Sequence, residues 1–426
     1  MLSLAIAYLR DRGLVTALNI ALLALAVATL VILLLFSSQV ASRFERDSQG
    51  IDLVVGAKGS PLQLILSSVY HVDTATGNIP LESLALLRND PGVSRVVPIA
   101  IGDSFRGFRI VGTEPGFLSV HSAALAEGRM FKADGDAVLG ADVARVTGAG
   151  LGQKFVGTHG MEGEGGHEHA AAPFTVVGIL APTGTVTDRL ILTSVETVWE
   201  VHGIEAHEHE HEHEKPTTGA KEHEHEHAHE KSEAGAVLDP RGELQPEITA
   251  LLVTYRNAMA AIRLPAAINR QTALQAASPA TETARLLTLF GSVLEGARLF
   301  AWLLALTGGL SIFVVLLSAA RSREGDLALL QVMGATRLQV SSVVLLEGLM
   351  MAAAGAVLGV AAGHALIAVA RASFPTLADI GLSPTLFHPG EIGIVAAVLA
   401  IGVVAAMLPA LKVFRTDLAQ TLSRAS

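Results

Sequence analysis

The 426-residue sequence contains no cysteine, few aromatic residues and little charge. Without cysteine there is neither a disulfide framework nor a thiolate metal site. Compartment stays open, because cysteine-free chains occur on both sides of a membrane. Aromatics make up 4% and charged residues 16% of a chain that is half hydrophobic; ordinary soluble domains carry about 25% charge. The mean hydropathy is +0.48. The apolar mass is therefore aliphatic and small, as in packed membrane helices. A phosphate-binding loop is also missing. Gly-x-x-x-x-Gly-Lys-Ser/Thr occurs nowhere, and "GAGLGQKF" (Gly148 to Phe155) lacks its ending. ATP hydrolysis by the usual route is excluded, so the chain is not expected to be an enzyme. No basic stripe with interleaved aromatics points to nucleic acid. No Ser/His/Asp set, carboxylate pair or His-Glu-x-x-His spacing marks a catalytic site.

Four long apolar runs are present. "VTALNIALLALAVATLVILLLF" fills 15–36. At 1.5 Å per residue it spans about 33 Å, enough for a hydrocarbon core of about 30 Å. It is too long for a signal-peptide h-region of about 7–15 residues. The other runs occupy 298–320, 341–370 and 392–411, with a loop at 371–391 and a tail at 412–426. The expected architecture is an α-helical membrane protein with four transmembrane helices. A large α+β periplasmic domain, 37–297, is inserted between the first and second. Residues 1–14 read as an amphipathic leader on the inner surface, or as an extension of the first span.

Lys and Arg near the span ends set orientation. Arg10 and Arg12 precede the first span, Arg321, Arg323 and Arg337 lie between the second and third, and Lys412, Arg415 and Arg424 follow the fourth. The loop between the third and fourth holds only Arg371; Arg43 and Arg46 count the other way but are outnumbered. Both termini are expected in the cytoplasm and the domain outside. In a bacterium that is a multi-pass inner-membrane protein.

Within the domain, "IDLVVGAKGS", "FRIVGTEPGF", "AVLGADVA", "FTVVGIL" and "LILTS" read as strands punctuated by Gly and Pro. "LESLALLRN" and "SVETVWEVHG" read as helices. "ATETARLLTLFGSVLEGARLF" reads as a helical stalk feeding the second span. An insertion at 205–235 is different in kind. Between Glu205 and Glu233 ten Glu face three Lys, so this stretch supplies -7 of the net charge of -10. It also carries half of the 16 histidines: His207, His209, His211, His213, His223, His225, His227 and His229. Alternating His and Glu cannot bury a core, so a solvent-exposed loop is expected. Imidazoles at i and i+2, or at i and i+4 in a helix, suit Zn²⁺, Ni²⁺ or Cu²⁺; neutral nitrogen ligands without sulfur favour Zn²⁺. Low affinity is expected, from interchangeable ligands. A smaller cluster, "HGMEGEGGHEHA", spans His159 to Ala170. The plain alternative is a solvated spacer, and no cofactor is required.

The stretch "RSREGDLALLQVMGATRLQVSSVVLLEGLMMAAAGAVLGVAAGHAL" (Arg321 to Leu366) resembles the signature region of the MacB/FtsX family of ABC-transporter permeases. Arg321, Arg323 and Glu324 match its opening; Leu327 to Met333, Gly334 with Ala335, and Glu347 with Gly348 follow in the family's order. "LPALKVFRTDLAQTL" resembles its closing motif, with Leu418 in place of the usual Pro. "DLVVGAKGSPLQLILSSVYHVDTATGNIP" and "VVGILAPTGTVTDRLILTS" resemble its periplasmic core. The resemblance implies that 321–340 is a coupling helix on which a separate cytoplasmic ATPase docks. Its coupling residues would be Arg323, Glu324, Leu327, Leu330, Met333 and Gly334. It also implies a homodimer and mechanotransmission, in which ATP-driven motion is transmitted to work outside, by export or extraction, with a periplasmic partner protein; the His/Glu tract, separately, suggests a link to zinc or another divalent metal. The alternatives are a regulator that transports nothing and acts on a periplasmic partner, and a metal importer, which the small number of spans disfavours.

Three features of the third span stand out. Gly355, Gly359 and Gly363 recur every fourth residue, with Gly348 seven before. Small residues at this period let helix backbones approach closely, either at a dimer seam or within one chain. Glu347 is expected to pair with Arg337, Ser341 or a neighbouring span. His364 is expected to pack at the outer interface.

Overall fold

The protein is described by a computed structural model covering residues 1–158, 173–201, 246–374 and 382–415. In chain order, helices α1 (Leu2–Asp11) and α2 (Gly13–Asp47) precede β1 (Leu53–Ala57), α3 (Pro61–Ser68), β2 (Ile79–Pro80), α4 (Glu82–Arg88), β3 (Val93–Phe105) and β4 (Phe108–Thr113). Then come α5 (Gly116–Val120), β5 (Leu125–Gly128), β6 (Asp136–Leu139), α6 (Ala141–Thr147), β7 (Lys154–Phe155), β8 (Phe174–Leu180), β9 (Leu190–Ser194) and α7 (Val195–Val201). Strands β10 (Glu247–Ile248) and β11 (Ala250–Tyr255), helix α8 (Ala258–Gln271) and β12 (Leu274–Ala277) follow. Helices α9 (Pro279–Ser322), α10 (Glu324–Val332), α11 (Arg337–Ser373) and α12 (Gly390–Arg415) close the described chain. It forms two compact units: Met1–Arg43 with Leu287–Ser426, and Phe44–Leu286.

The first unit is a helical bundle. Helices α2, α9, α11 and α12 are each long and apolar enough to cross a membrane. At 1.5 Å per residue α2 extends about 52 Å and α9 about 66 Å, well beyond a hydrocarbon core of about 30 Å. Leu23, Val27 and Val31 of α2, Ile312 and Leu316 of α9, Met351 and Ala356 of α11, and Val398 and Ala406 of α12 form its buried centre. Glycine sets how close these helices come. A Cβ on Gly308 of α9 would lie 3.1 Å from Leu23, and one on the adjacent Gly309 would collide with Ile401.

The second unit is built on a mixed sheet of ten strands, ordered β12-β1-β11-β3-β4-β9-β6-β8-β5 with β7 on β8; β2 and β10 form a separate pair. The β4/β9 and β6/β8 pairs are parallel. Both faces are covered, and alternation along the strands shows why. On β1, Val54 enters one core with Leu64 and Ile65 of α3 and Phe117 of α5. Its neighbours Leu53 and Val55 enter the opposite core with α4 (Leu84, Leu87), α7 (Val198, Trp199) and α8 (Leu264, Ile268). A strand buried on both sides needs apolar residues at every position, which is why "LVV" and "ALLV" run unbroken.

The five runs expected as strands contribute β1, β4, β6, β8 and β9, and the two expected helices are α4 and α7. Strand β3, the longest, was not expected. It contains Pro98, which reads as a breaker but sits opposite Leu251 of β11 and offers its carbonyl to the Thr113 hydroxyl at 2.8 Å.

Candidate functional site

Residues of the predicted coupling region meet at one end of the bundle. Ser322 ends α9 and Arg323 precedes α10, so the chain turns there. The Arg323 side chain points inward, only 10% exposed. Its Nη1 lies 3.5 Å from the buried Glu347 carboxylate on α11, and its Nη2 donates to the Tyr8 carbonyl at 3.2 Å. The guanidinium lies over the Tyr8 ring, 3.9 Å from its centre, and 3.8 Å from Asp11. Arg12 fixes the same corner by donating to the Ser322 hydroxyl at 2.6 Å. A planar cation suits this place, because it can pair, donate and stack at once. One arginine thus joins α1, the start of α10 and α11. Glu347 pairs with Arg323, not with the expected Arg337 or Ser341.

The face expected to dock a partner is therefore not continuous. Leu327 is buried and Leu330 half-buried against the chain's own core. Met333 is 69% exposed, and the apolar residues beside it on the outer face are Leu329 and Val332. Spacing i, i+3, i+6 starts Leu327 and Leu330 on one helix face, but at about 100° per residue Met333, the capping residue of α10, lies about 120° around from Leu327 and so falls off the buried face. The Glu324 side chain lies outside what the structure describes. Gly334 adopts φ +103, a left-handed conformation that a side chain disfavours, and stops α10. Thr336 then starts α11 with a reciprocal cap to Gln339.

The four glycines of α11 face helices of the same chain. A Cβ would meet Leu23 at 2.9 Å from Gly355, Val27 at 2.5 Å from Gly359 and Val31 at 3.0 Å from Gly363. The partners on α2 are also four apart, so ridge and groove share one period. Gly348 faces a different pair of helices, with Ala406 at 2.5 Å and Leu316 at 3.1 Å. All four thus pack against helices of the same chain, one of the two expected placements.

At the opposite end of α11, His364 is hydrogen-bonded through both ring nitrogens, to the Pro384 carbonyl at 2.7 Å and to Glu391 at 3.0 Å. Glu391 is almost fully buried, and its other oxygen accepts from the His388 amide at 2.8 Å. Gln39 makes a two-way amide pair with the Ser383 backbone at 2.7 and 3.2 Å. His364 is thus a hydrogen-bonding member of this corner as well as a packing residue.

In the sheet unit the buried titratable groups are of another kind. His121 sits against the Phe117 ring, 4.4 Å between centres, and burial lowers its pKa from 6.5 to about 4. His71 is lowered to about 3, by burial and then by Arg109, His121 and Arg189. Burial tends to raise Asp136, but the Arg129 side chain and the Lys132 and Ala133 amides outweigh it and hold the carboxyl below its ordinary value. No cluster of three His, Cys, Asp or Glu suited to a metal occurs among the described residues. The tract from His207 to His229 and the smaller cluster from His159 lie outside them, as does Leu418.

Sequence comparison gives this bundle and sheet a family. Residues 16–218 match the MacB-like periplasmic core domain, and residues 298–418 match the FtsX-like permease C-terminal domain. The chain belongs to the MacB/FtsX family of ABC-transporter permeases. Membership carries ABC-permease-type function in a multi-pass membrane protein, and MacB/FtsX permeases work with a cytoplasmic ATPase. No curated protein matches the chain. Among solved structures, the periplasmic region of MacB from Actinobacillus actinomycetemcomitans is 12% identical over 56% of this chain and 94% of its own, with a TM-score of 0.33. The extracellular domain of the ABC-type transporter YknZ from Gram-positive bacteria is 13% identical over 53% and 98%, with a TM-score of 0.29. At this level neither structure informs the function of this MacB/FtsX permease.

Proposed function

We propose that this permease is the mechanotransmitting subunit of an inner-membrane ABC transporter, working as a homodimer with a separate cytoplasmic ATPase. Both termini and α10 are cytoplasmic. The sheet unit is periplasmic, inserted between the first and second spans, and drives export or extraction there, with a periplasmic partner. The observation that carries this reading is how the bundle uses its buried charge. Glu347 is matched by Arg323, and Glu391 by His364. The two buried acids of the bundle are thus paired internally and not spent on a solute. Helices α2 and α9 each continue from one compact unit into the other, as motion passed along helices would require. The exposed Leu329, Val332 and Met333 are the docking ledge for the ATPase. We assign the His/Glu tract as a low-affinity Zn²⁺ arm of the same system.

The chain has no cysteine, so a single introduced thiol reports topology directly. In intact cells, Met333→Cys is expected to resist a membrane-impermeant maleimide until the cells are lysed, whereas Val72→Cys labels at once. Labelling of Met333→Cys in intact cells overturns the reading. Calorimetry on the full chain is expected to show Zn²⁺ uptake that disappears when residues 207–229 are deleted; undiminished uptake removes the metal assignment.

A further inference from the structure

Beyond the transport reading, and independent of it, the sheet unit contains a polar cavity of about 260 Å³. Its lining includes Arg46, Gln49, His121, Ser122, Thr183 and Thr185. This is slightly below the roughly 300–1,000 Å³ of sites for drug-sized ligands, so it suits a small polar group. One wall is rigid. Asp188 accepts from the Thr183 amide at 2.8 Å, the Thr183 hydroxyl at 2.8 Å and the Gly184 amide at 2.7 Å. Asp47 accepts from the Val186 amide at 2.8 Å. The carboxylates beside the cavity are thereby directed into the loop, and none lines it.

What faces inward is an excess of donors. Arg46 is exposed and makes no ion pair among the described residues, so its five N–H groups are available. Gln49 brings an amide and Ser122 a hydroxyl, while the Thr183 and Thr185 hydroxyls are engaged with Asp188, Thr187 and each other. His121 is the most telling member. It is only 8% exposed, lines the cavity, and makes no side-chain hydrogen bond among the described residues. Buried polar groups are nearly always hydrogen-bonded, so an unpartnered ring nitrogen facing a cavity implies a guest. Ser122, next in the chain, also lines the cavity and holds φ +51, a left-handed conformation uncommon for serine. A carboxylate's two oxygens lie in one plane and reach fewer of these donors at once. A phosphate reaches more, and arginine pairs with it through charge-assisted bonds.

We propose that this cavity binds the phosphate of a small polar molecule, with Arg46 as the charge partner and His121 and Ser122 fixing its orientation. The phosphate belongs either to a soluble phosphate or phosphomonoester or to an anionic lipid headgroup, and the binding chemistry is the same.

The test uses the full chain in a phosphate-free detergent, titrated in a calorimeter with inorganic phosphate, glycerol 1-phosphate and short-chain phosphatidylglycerol below its micellar concentration. Saturable binding of at least one probe is expected, weakened at least tenfold in Arg46→Gln and several-fold in Gln49→Leu, with melting temperatures unchanged. Both substituted residues are surface-exposed, so both variants should fold. Tightest binding of phosphatidylglycerol identifies a lipid headgroup; tighter binding of phosphate or glycerol 1-phosphate identifies a soluble ligand. Either supports the site. No saturable binding of any probe, or binding that neither substitution weakens, overturns it.

Discussion

The two ends of α11 hold charge in opposite ways. At one end Glu347 meets Arg323, a cation that stays charged at every accessible pH and is itself stacked on Tyr8. At the other, Glu391 meets His364, a side chain whose ordinary titration lies near neutrality. The first corner gathers three helices around one permanent charge. The second pins a loop through hydrogen bonds that smaller, neutral groups also supply, among them the Gln39–Ser383 pair. The helix between them has almost no polar business. Its glycines serve close approach, and its buried residues are otherwise aliphatic. A membrane helix can thus be apolar along its length while its two ends carry distinct tasks.

The largest effect should come from breaking the permanent pair. Glu347→Ala leaves a buried guanidinium with only the exposed Asp11 as counter-charge, and removing one partner of a buried pair costs up to about 3–5 kcal/mol. Unfolding in detergent is expected to show that loss. Arg323→Met combined with Glu347→Leu should recover most of it; a double variant as unstable as the single one would show that the charge balance is not what matters. His364→Gln can still serve the Pro384 carbonyl, so its loss should be clearly smaller than that of Glu347→Ala.

Next comes packing between these ends. Gly359→Leu drives a side chain into Val27 and the Ala24 carbonyl, and overpacking of this kind costs about 1–3 kcal/mol. The expected readout is a lower melting temperature. If stability is unchanged, α2 and α11 do not pack through these glycines.

A pH-dependent effect, small at any pH near neutrality, contrasts the bundle with the sheet unit. His121 has a folded pKa of about 4, below its ordinary 6.5. The unfolded chain therefore binds the extra proton first as pH falls. The stabilisation is complete above about pH 6.5 and is lost as pH drops toward about 4, to the extent of roughly 3 kcal/mol. Unfolding of the sheet unit followed from pH 7 to 4 should show this slope, to which His71 adds its own share, and His121→Asn should reduce the slope by about half. An unaltered slope would remove His121 as its source.

Much of this was legible in the sequence, for identifiable reasons. Four apolar runs, a Gly-Ala-Thr stop-and-start between α10 and α11, and strand-length runs ending in Gly are local signals, and the structure uses them locally. Partner choice was less legible. Glu347 was recognisable as a group needing a partner, but Arg323 lies 24 residues away and reaches it only because the chain turns at Ser322. The stripe Leu327, Leu330 and Met333 shows which residues share a helix face, but not whether that face turns toward the chain's own core or a partner's. Pro98 in β3 and Pro265 within α8 hid regular elements: a strand accepts a proline where its missing donor falls outside the ladder, and α8 continues through Pro265 at the loss of one internal hydrogen bond. The cavity at His121 left no sequence signal. It needs Arg46 at the end of α2 and Thr183 after β8 side by side, and only the folded sheet brings them together.

The neighbouring glycines Gly308 and Gly309 have a consequence for α9 itself. Each lowers intrinsic helical preference by about 1 kcal/mol relative to alanine. They fall at the level where α2 and α12 crowd closest, against Leu23 and Ile401. The longest helix in the molecule is thus weakest in its own right where it is most tightly gripped. Its rigidity there is borrowed from its neighbours, and a peptide of this segment freed from them should bend most readily at the Gly308–Gly309 pair.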